Sequence, residues 1–237
     1  MELSGSLAVI TGATEGIGRA TAFALGRAGA RVAICARTTA NVDATVRDLR
    51  AAAIDAIGMP CDVSDPSCVA SFATFVNRER GTPRIVVNNA GIGRFKPLLE
   101  LPLDDWDETM GVNVRSLYLV TRAFLKGMLD AGTGTIVNIA SLAGKNGVEG
   151  GTAYSASKHA VLGFSKSLML EVRKQGIRVV AICPGSVSTA FAEKGERVRH
   201  NRDRILTAED VAHAVLATVT ASDRAMVSEL DIRPTNP

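Results

Sequence analysis

Leu7-Ala8-Val9-Ile10-Thr11-Gly12-Ala13-Thr14-Glu15-Gly16-Ile17-Gly18 is the stretch whose reading decides the fold. Its first four residues are a short apolar run of the kind that forms a buried strand. A glycine-rich turn follows, and then a helical pattern from Arg19 to Ala28. A second apolar run, Arg31 to Ala36, completes a βαβ unit. Glycines at this first turn allow tight turning and close approach of backbone to a pyrophosphate, while the helix N-terminus offers N–H donors. The spacing is G-x-x-x-G-x-G, and between a strand and a helix it points to dinucleotide binding. Loop geometry alone is the competing explanation for such glycines.

In such a unit the end of the second strand chooses between dinucleotides. A carboxylate there holds a ribose 2′-hydroxyl and a cation suits a 2′-phosphate. The chain reads Ile34-Cys35-Ala36-Arg37-Thr38, so it offers a guanidinium and no carboxylate. NADP(H) is therefore the expected cofactor, with NAD(H) as the alternative. Glu15 in the glycine loop works against that phosphate, and a solvated strand-end arginine is the plainer reading of Arg37.

Further on, helix and strand patterns keep alternating. Helices are expected over Asn41–Ala53, Asp65–Arg78 and Asp104–Leu129, and strands over Ala56–Cys61, Arg84–Val87, Thr135–Ala140 and Ile177–Ile182. This pattern specifies a single-domain, Rossmann-like, doubly wound α/β sheet of about seven parallel strands with helices on both faces. Asp62-Val63 lies just past a strand's carboxyl end, where a carboxylate can accept from an adenine amino group or cap the next turn. Asn88-Asn89-Ala90-Gly91 ends another strand, and its amides either contact cofactor or brace the sheet. Asn113 falls inside a long helix, where asparagine is a poor former, and marks a bend, a water site or a surface position. Trp106 reads as packing. Ser141 follows the fifth strand, thirteen residues before Tyr154, with no G-x-S-x-G around it to suggest a hydrolase nucleophile.

Tyr154-Ser155-Ala156-Ser157-Lys158 opens a helical pattern from Thr152 to about Lys174. Residues four apart share a helix face about 6 Å apart along the axis. The Lys158 ammonium is thus expected near the Tyr154 hydroxyl, where a cation favours the phenolate. Bringing a phenol from about 10 toward ~7 takes about 4 kcal/mol, much of which one ammonium in a dry site can supply. An ordinary amphipathic helix start is the bland alternative.

Composition narrows the classes. The chain has 237 residues, a net charge of +3 and only 4% aromatic residues, which argues against nucleic acid as a partner. No apolar run reaches membrane-span length, and the opening Met1-Glu2-Leu3-Ser4 is not that of a signal peptide, so a cytoplasmic protein is expected. Cys35, Cys61, Cys68 and Cys183 show no metal-ligand spacing, and no metal is expected. Buried free thiols account for them.

These pieces together resemble the short-chain dehydrogenase/reductase family, in its simple single-domain branch. The matching stretches are Thr11-Gly12-x-x-x-Gly16-Ile17-Gly18, Asp62-Val63, Asn88-Asn89-Ala90-Gly91, Asn113, Ser141, Tyr154-x-x-x-Lys158 and Pro184-Gly185-Ser186-Val187-Ser188-Thr189. The resemblance spans residues 6 to about 190. It implies an oxidoreductase that reduces a carbonyl, or oxidises the matching alcohol, by hydride transfer. Tyr154 would be the acid, Lys158 would lower its pKa and hold the nicotinamide ribose, and Ser141 would orient the carbonyl. Asn113 would anchor a water in a proton relay. Gly12, Gly16 and Gly18 would let the pyrophosphate approach, with Thr14 and Ile17 also binding cofactor. Asp62 and Val63 would line the adenine, Asn89 the adenosine ribose, and Pro184, Gly185 and Thr189 the nicotinamide, with Ala90, Gly91 and Val187 also binding cofactor. The alternatives are an NAD-dependent alcohol dehydrogenase and a non-catalytic dinucleotide-binding regulator.

The segment 190–205 is the resemblance's substrate lid. Lys194, Arg197, Arg199, Arg202 and Arg204 in or beside it read either as a solvated face or as attraction for an anionic substrate. A helix capped by Thr207 with Asp210 and a strand over Met226–Arg233 complete the chain. The resemblance implies a homodimer or homotetramer. The ending Leu230-Asp231-Ile232-Arg233-Pro234-Thr235 departs from the family's V-D-G-G pattern, which favours a dimer through the two long helices. It is similar to the ending of sepiapterin-reductase-like and hydroxy-acid-dehydrogenase-like members.

Overall fold

The inner strands of this chain send alternate side chains into cores on opposite faces of the sheet. The computed structural model describes residues 3–189, 191, 204–222 and 224–235. Its strands are β1 (Leu7–Thr11), β2 (Arg31–Ala36), β3 (Ala56–Pro60), β4 (Ile85–Asn88), β5 (Gly134–Ile139), β6 (Ile177–Pro184) and β7 (Glu229–Ile232). They form one parallel sheet in the order β3-β2-β1-β4-β5-β6-β7. Ala8 and Ile10 of β1 pack with Leu25, Val42, Leu49 and Val215. Leu7 and Val9 pack with Phe72, Phe124 and Val172 on the opposite face. That two-sided burial is why the strands read as continuous apolar runs.

The described helices are α1 (Gly16–Arg27), α2 (Thr39–Ala51), α3 (Pro66–Arg80), α4 (Leu103–Met110), α5 (Ser116–Ala131), α6 (Thr152–Val172) and α7 (Ala208–Thr220). The residues above place α1, α2 and α7 on one face and α3, α5 and α6 on the other. Phe72 of α3 meets Phe124 of α5 edge to face, with centroids 6.2 Å apart. Asp65 caps α3 by accepting from Ser67 N and Cys68 N, with Pro66 at the first helical position. The expected cap of α7 is a full capping box between Thr207 and Asp210.

Most expected boundaries hold to within a few residues. The last strand is shorter than expected, Glu229–Ile232 rather than Met226–Arg233. The expected long helix over Asp104–Leu129 is one continuous run, α4 to α5, opened by a π turn at Gly111–Arg115. Most of the lid segment lies outside the described residues, so its basic side chains are not placed.

Strand order reverses between β1 and β4. In an open parallel sheet a ligand crevice forms outside the carboxyl ends of the strands at this switch point. The glycine turn after β1 and the Asn88–Gly91 segment after β4 meet there.

Candidate active site

The glycine turn is tied to the end of β4 by the Asn89 amide and the Thr11 hydroxyl. Asn89 Nδ2 donates to Thr11 O at 2.9 Å and Gly12 O at 3.1 Å, while Thr11 Oγ1 accepts from the backbone N–H groups of Asn89 and Ala90. A Cβ at Gly12 would stand 2.9 Å from Ala90 Cα, and one at Gly18 would stand 2.4 Å from Asn89 Nδ2. Gly12 and Gly18 therefore let the turn close on β4. Gly16, at φ +53°, faces the Thr189 methyl across the crevice.

The start of α1 fits a dinucleotide pyrophosphate. Its N-cap, Glu15, makes no side-chain cap bond, and no acidic residue stands in the first turn. The N–H donors and positive dipole end are left for an anion. At the end of β2, Arg37 is exposed and lies 3.9 Å from Glu108, so its guanidinium is placed for a further anionic partner. Asp62 Oδ1 accepts from Ser64 N at 2.9 Å and Ser64 Oγ at 2.7 Å and so caps the turn after β3. Val63 is buried beneath it.

The two amides after Val87 divide their work. Asn88 Nδ2 donates to Thr121 Oγ1 and to Asn138 Oδ1, and Asn138 Nδ2 donates to Ser165 Oγ, which braces β4, β5, α5 and α6. Asn89 holds the glycine turn. Bracing is thus one outcome of this segment, with Ala90 and Gly91 remaining at the crevice.

Beyond them, Gly91 passes between two polar atoms. A Cβ there would stand 3.3 Å from Asn113 Oδ1 and 3.7 Å from Lys158 Nζ. Asn113 is buried in the π turn. Its Oδ1 accepts from Ile92 N at 2.8 Å, and its Nδ2 donates to Ile92 O at 2.9 Å and Ser157 Oγ at 2.9 Å. Both amide hydrogens are used, so any further partner of Asn113 would have to donate to one of its oxygens. Asn113 is therefore no surface position but part of a π turn, and turns of this type recur at functional sites.

Tyr154 and Lys158 sit one turn apart near the start of α6. Lys158 Nζ lies 5.7 Å from the Tyr154 ring centroid and donates to Ile139 O at 2.8 Å. Burial lowers the Lys158 pKa to about 8, against a small opposing effect of Cys183. Burial likewise pushes the Tyr154 phenol above its ordinary value, and its hydrogen bond with Ser141 pulls the other way. Desolvation is the larger influence on the phenol here, and it outweighs the lowering expected from a nearby ammonium. Helix spacing brings the ammonium close, but a backbone carbonyl of β5 claims it, and desolvation dominates.

Ser141 ends β5 and caps a short 3-10 turn, accepting from Ala143 N at 3.1 Å. Its Oγ lies 3.5 Å from Pro184 O at the end of β6, which brings the Pro184–Thr189 segment to the same crevice. Gly185 N donates to Ile232 O, anchoring that segment to β7, and Val187 pairs with Leu206. Just beyond Ser141, Lys145 bonds both Glu229 and Asp231 of β7, which hold its pKa well above the usual lysine range. Cys183, Glu229 and Asp231 bring ligand atoms within 4.8 Å of one another, and Lys145 supplies their counter-charge.

Two aromatic rings missed in the sequence flank the tyrosine. Phe95 lies 5.3 Å and Phe191 5.7 Å from the Tyr154 ring, centroid to centroid. A Cβ at Gly93 would strike both. No spacing rule in the sequence singles out these two phenylalanines, although Phe191 lies at the start of the expected lid segment.

A family profile described as short chain dehydrogenase matches residues 6–199. The chain belongs to this family. This short-chain dehydrogenase is a nicotinamide-dependent oxidoreductase with the family's seven-stranded Rossmann-like sheet. It is 45% identical to a putative ketoacyl reductase of Streptomyces coelicolor over 78% of this chain and 72% of that one. It is similar to a solved metagenomic short-chain oxidoreductase in complex with NADP, at 39% identity, with both chains fully covered and a TM-score of 0.87. It is also similar to a variant actinorhodin polyketide ketoreductase solved with NADPH, at 34% identity, covering 98% and 97% of the two chains with a TM-score of 0.90. Among the described residues no helix is long and apolar enough to cross a membrane.

Proposed function

We propose that this short-chain dehydrogenase is an NADPH-dependent carbonyl reductase, with Tyr154, Lys158, Ser141 and Asn113 as its catalytic set. The observation that carries the reading is the convergence of those four residues outside the carboxyl ends of β4 and β5, beside a glycine turn and helix start shaped for a pyrophosphate.

The bound nicotinamide supplies the hydride. Hydride arrival at a carbonyl carbon places negative charge on oxygen, and the chain's task is to meet that charge. Tyr154 is kept protonated by burial, which is the form needed to donate. Its hydroxyl gives the proton to the carbonyl oxygen, and the Ser141 hydroxyl holds that oxygen in line. The remaining phenolate is stabilised by Ser141 and by the Lys158 ammonium. Lys158, at about 8, is placed to return a proton through a water held by an oxygen of Asn113. Phe95 and Phe191 exclude water from the tyrosine. Arg37 would hold the 2′-phosphate, Asp62 and Val63 would lie toward the adenine, and Pro184, Gly185, Val187 and Thr189 toward the nicotinamide.

The names of the Streptomyces coelicolor relative and the actinorhodin enzyme favour a β-ketoacyl chain as substrate class. NAD-dependent oxidation has less support, because no carboxylate stands at position 36 or 37. The exposed Tyr118 of α5 and Leu170 of α6 support a homodimer through those helices. A cytoplasmic location remains part of the same reading.

The deciding experiment follows absorbance at 340 nm with NADPH or NADH against β-ketoacyl thioesters, diketones, quinones and keto sugars. Turnover of a β-ketoacyl thioester with NADPH, strongly reduced in Tyr154→Phe, is the expected outcome. Turnover with NADH only would overturn the cofactor assignment. Cofactor binding without turnover of any carbonyl would overturn the catalytic one.

A further inference from the structure

A second concavity lies at the other end of the sheet. At the amino ends of β4, β5 and β6 a cleft of about 350 Å³ opens. Arg84, Arg173, Arg178 and Arg224 line it, and no carboxylate is among the described lining residues. Guanidinium groups around one concavity favour an anion there, and Arg173 and Arg224 are the two that face solvent.

Two of the four are set in the wall. Arg178 is fixed, with Nε donating to Thr135 Oγ1, Nη1 to Ala221 O and Nη2 to Val219 O, each at 3.1 Å. Arg84 Nε is buried and has no hydrogen-bond partner. A buried donor left unmet is unfavourable, and an anion seated against the Arg84 guanidinium would lower that cost. Arg173 and Arg224 are exposed at the rim. The wall between Gly132 and Gly176 is bare backbone, since a Cβ at Gly176 would stand 2.1 Å from Gly132 O.

We infer that this cleft binds a small free phosphorylated anion, of pyrophosphate or sugar-phosphate size. Its volume is at the small end of ligand pockets, roughly 300–1,000 Å³. The length of β6, Ile177 to Pro184, separates it from the nicotinamide end by about 25 Å. An anion here touches no reacting atom, so the site is independent of the proposed catalytic one.

Calorimetric titration of inorganic pyrophosphate into the NADP-saturated enzyme tests it, with cofactor blocking the glycine turn. One saturable site is expected, weakened about tenfold or more in the Arg173→Ala/Arg224→Ala double variant, which keeps NADPH turnover. Arg37→Ala is expected to leave it unchanged. Arg84→Gln, which keeps most of the side-chain length, is expected to weaken it on its own. No saturable binding to the folded wild type, or equal affinity in the double variant, would overturn the inference. So would an affinity that follows ionic strength alone, equally for pyrophosphate and sulfate.

Discussion

Asn113 Nδ2 donates to Ser157 Oγ at 2.9 Å, and Ser157 Oγ in turn donates to Tyr154 O at 2.7 Å. One fully buried hydroxyl thus joins the π turn between α4 and α5 to the residue before which the α6 helix begins to carry chemistry. Ser157 lies between Tyr154 and Lys158 in sequence yet touches no reacting atom. It is a positioning residue.

Ser157→Ala cuts this link. The variant is expected to lose about 1 kcal/mol of stability by urea titration and about tenfold in kcat, with KM for NADPH nearly unchanged. Asn113→Ala removes three bonds and strands Ile92 N and O, so its stability loss is expected at about 2–3 kcal/mol. Equal losses in the two variants would contradict this arrangement.

Tyr154→Phe removes one oxygen from a pocket that Phe95 and Phe191 already make aromatic. The fold and NADPH affinity are expected to survive, while kcat falls by about 10²–10⁴. Circular dichroism, fluorescence titration and turnover read the three quantities separately. A fall of less than tenfold would remove Tyr154 from the catalytic role.

Lys158 makes stability depend on pH in a stated direction. Its folded pKa of about 8 lies below the free value of 10.5. Below pH 8 it is charged in both states, and the buried charge costs the folded state about 3 kcal/mol. Between about 8 and 10.5 the unfolded chain binds more protons, so this penalty fades as pH rises. Lys158→Met has no such penalty. Its stability relative to wild type is therefore expected to be highest near pH 7 and to decline by pH 10, as denaturation at both values would show. A difference that does not change with pH would refute the buried-charge account.

Arg37 and Glu108 stand 3.9 Å apart at the cofactor's expected 2′ position, and Arg94 Nη2 also bonds Glu108, at 2.5 Å. Glu108→Gln is expected to tighten NADPH binding a few-fold, because it removes a carboxylate competing for Arg37. Arg37→Asp is expected to reverse the ratio of kcat/KM for NADPH over NADH. If that ratio stays put, Arg37 does not read the phosphate.

Much of this was legible in the chain. The apolar run Leu7–Ile10, the glycine turn and the alternation of patterns specified a parallel doubly wound sheet, because two-sided burial writes itself into consecutive residues. The Thr207–Asp210 box was legible for the same reason, being a contact three residues long. The spacing of Tyr154 and Lys158 also belongs to this local class.

Contacts between distant segments were decided only in three dimensions. Asn89 holding the glycine turn joins positions 77 and 78 apart, and Asn113 reaches Ser157 across 44. Lys158 turns to Ile139 O rather than to the tyrosine because the end of β5 passes beneath α6, and burial then sets the direction of both pKa shifts. The rings beside Tyr154 and the arginine cleft at the far end arise likewise, from strands adjacent in the sheet and remote in the chain. Sequence determined which elements form and which residue types reach the carboxyl ends. Tertiary packing decided which partner each polar atom took, since a desolvated donor bonds the acceptor the fold brings within reach.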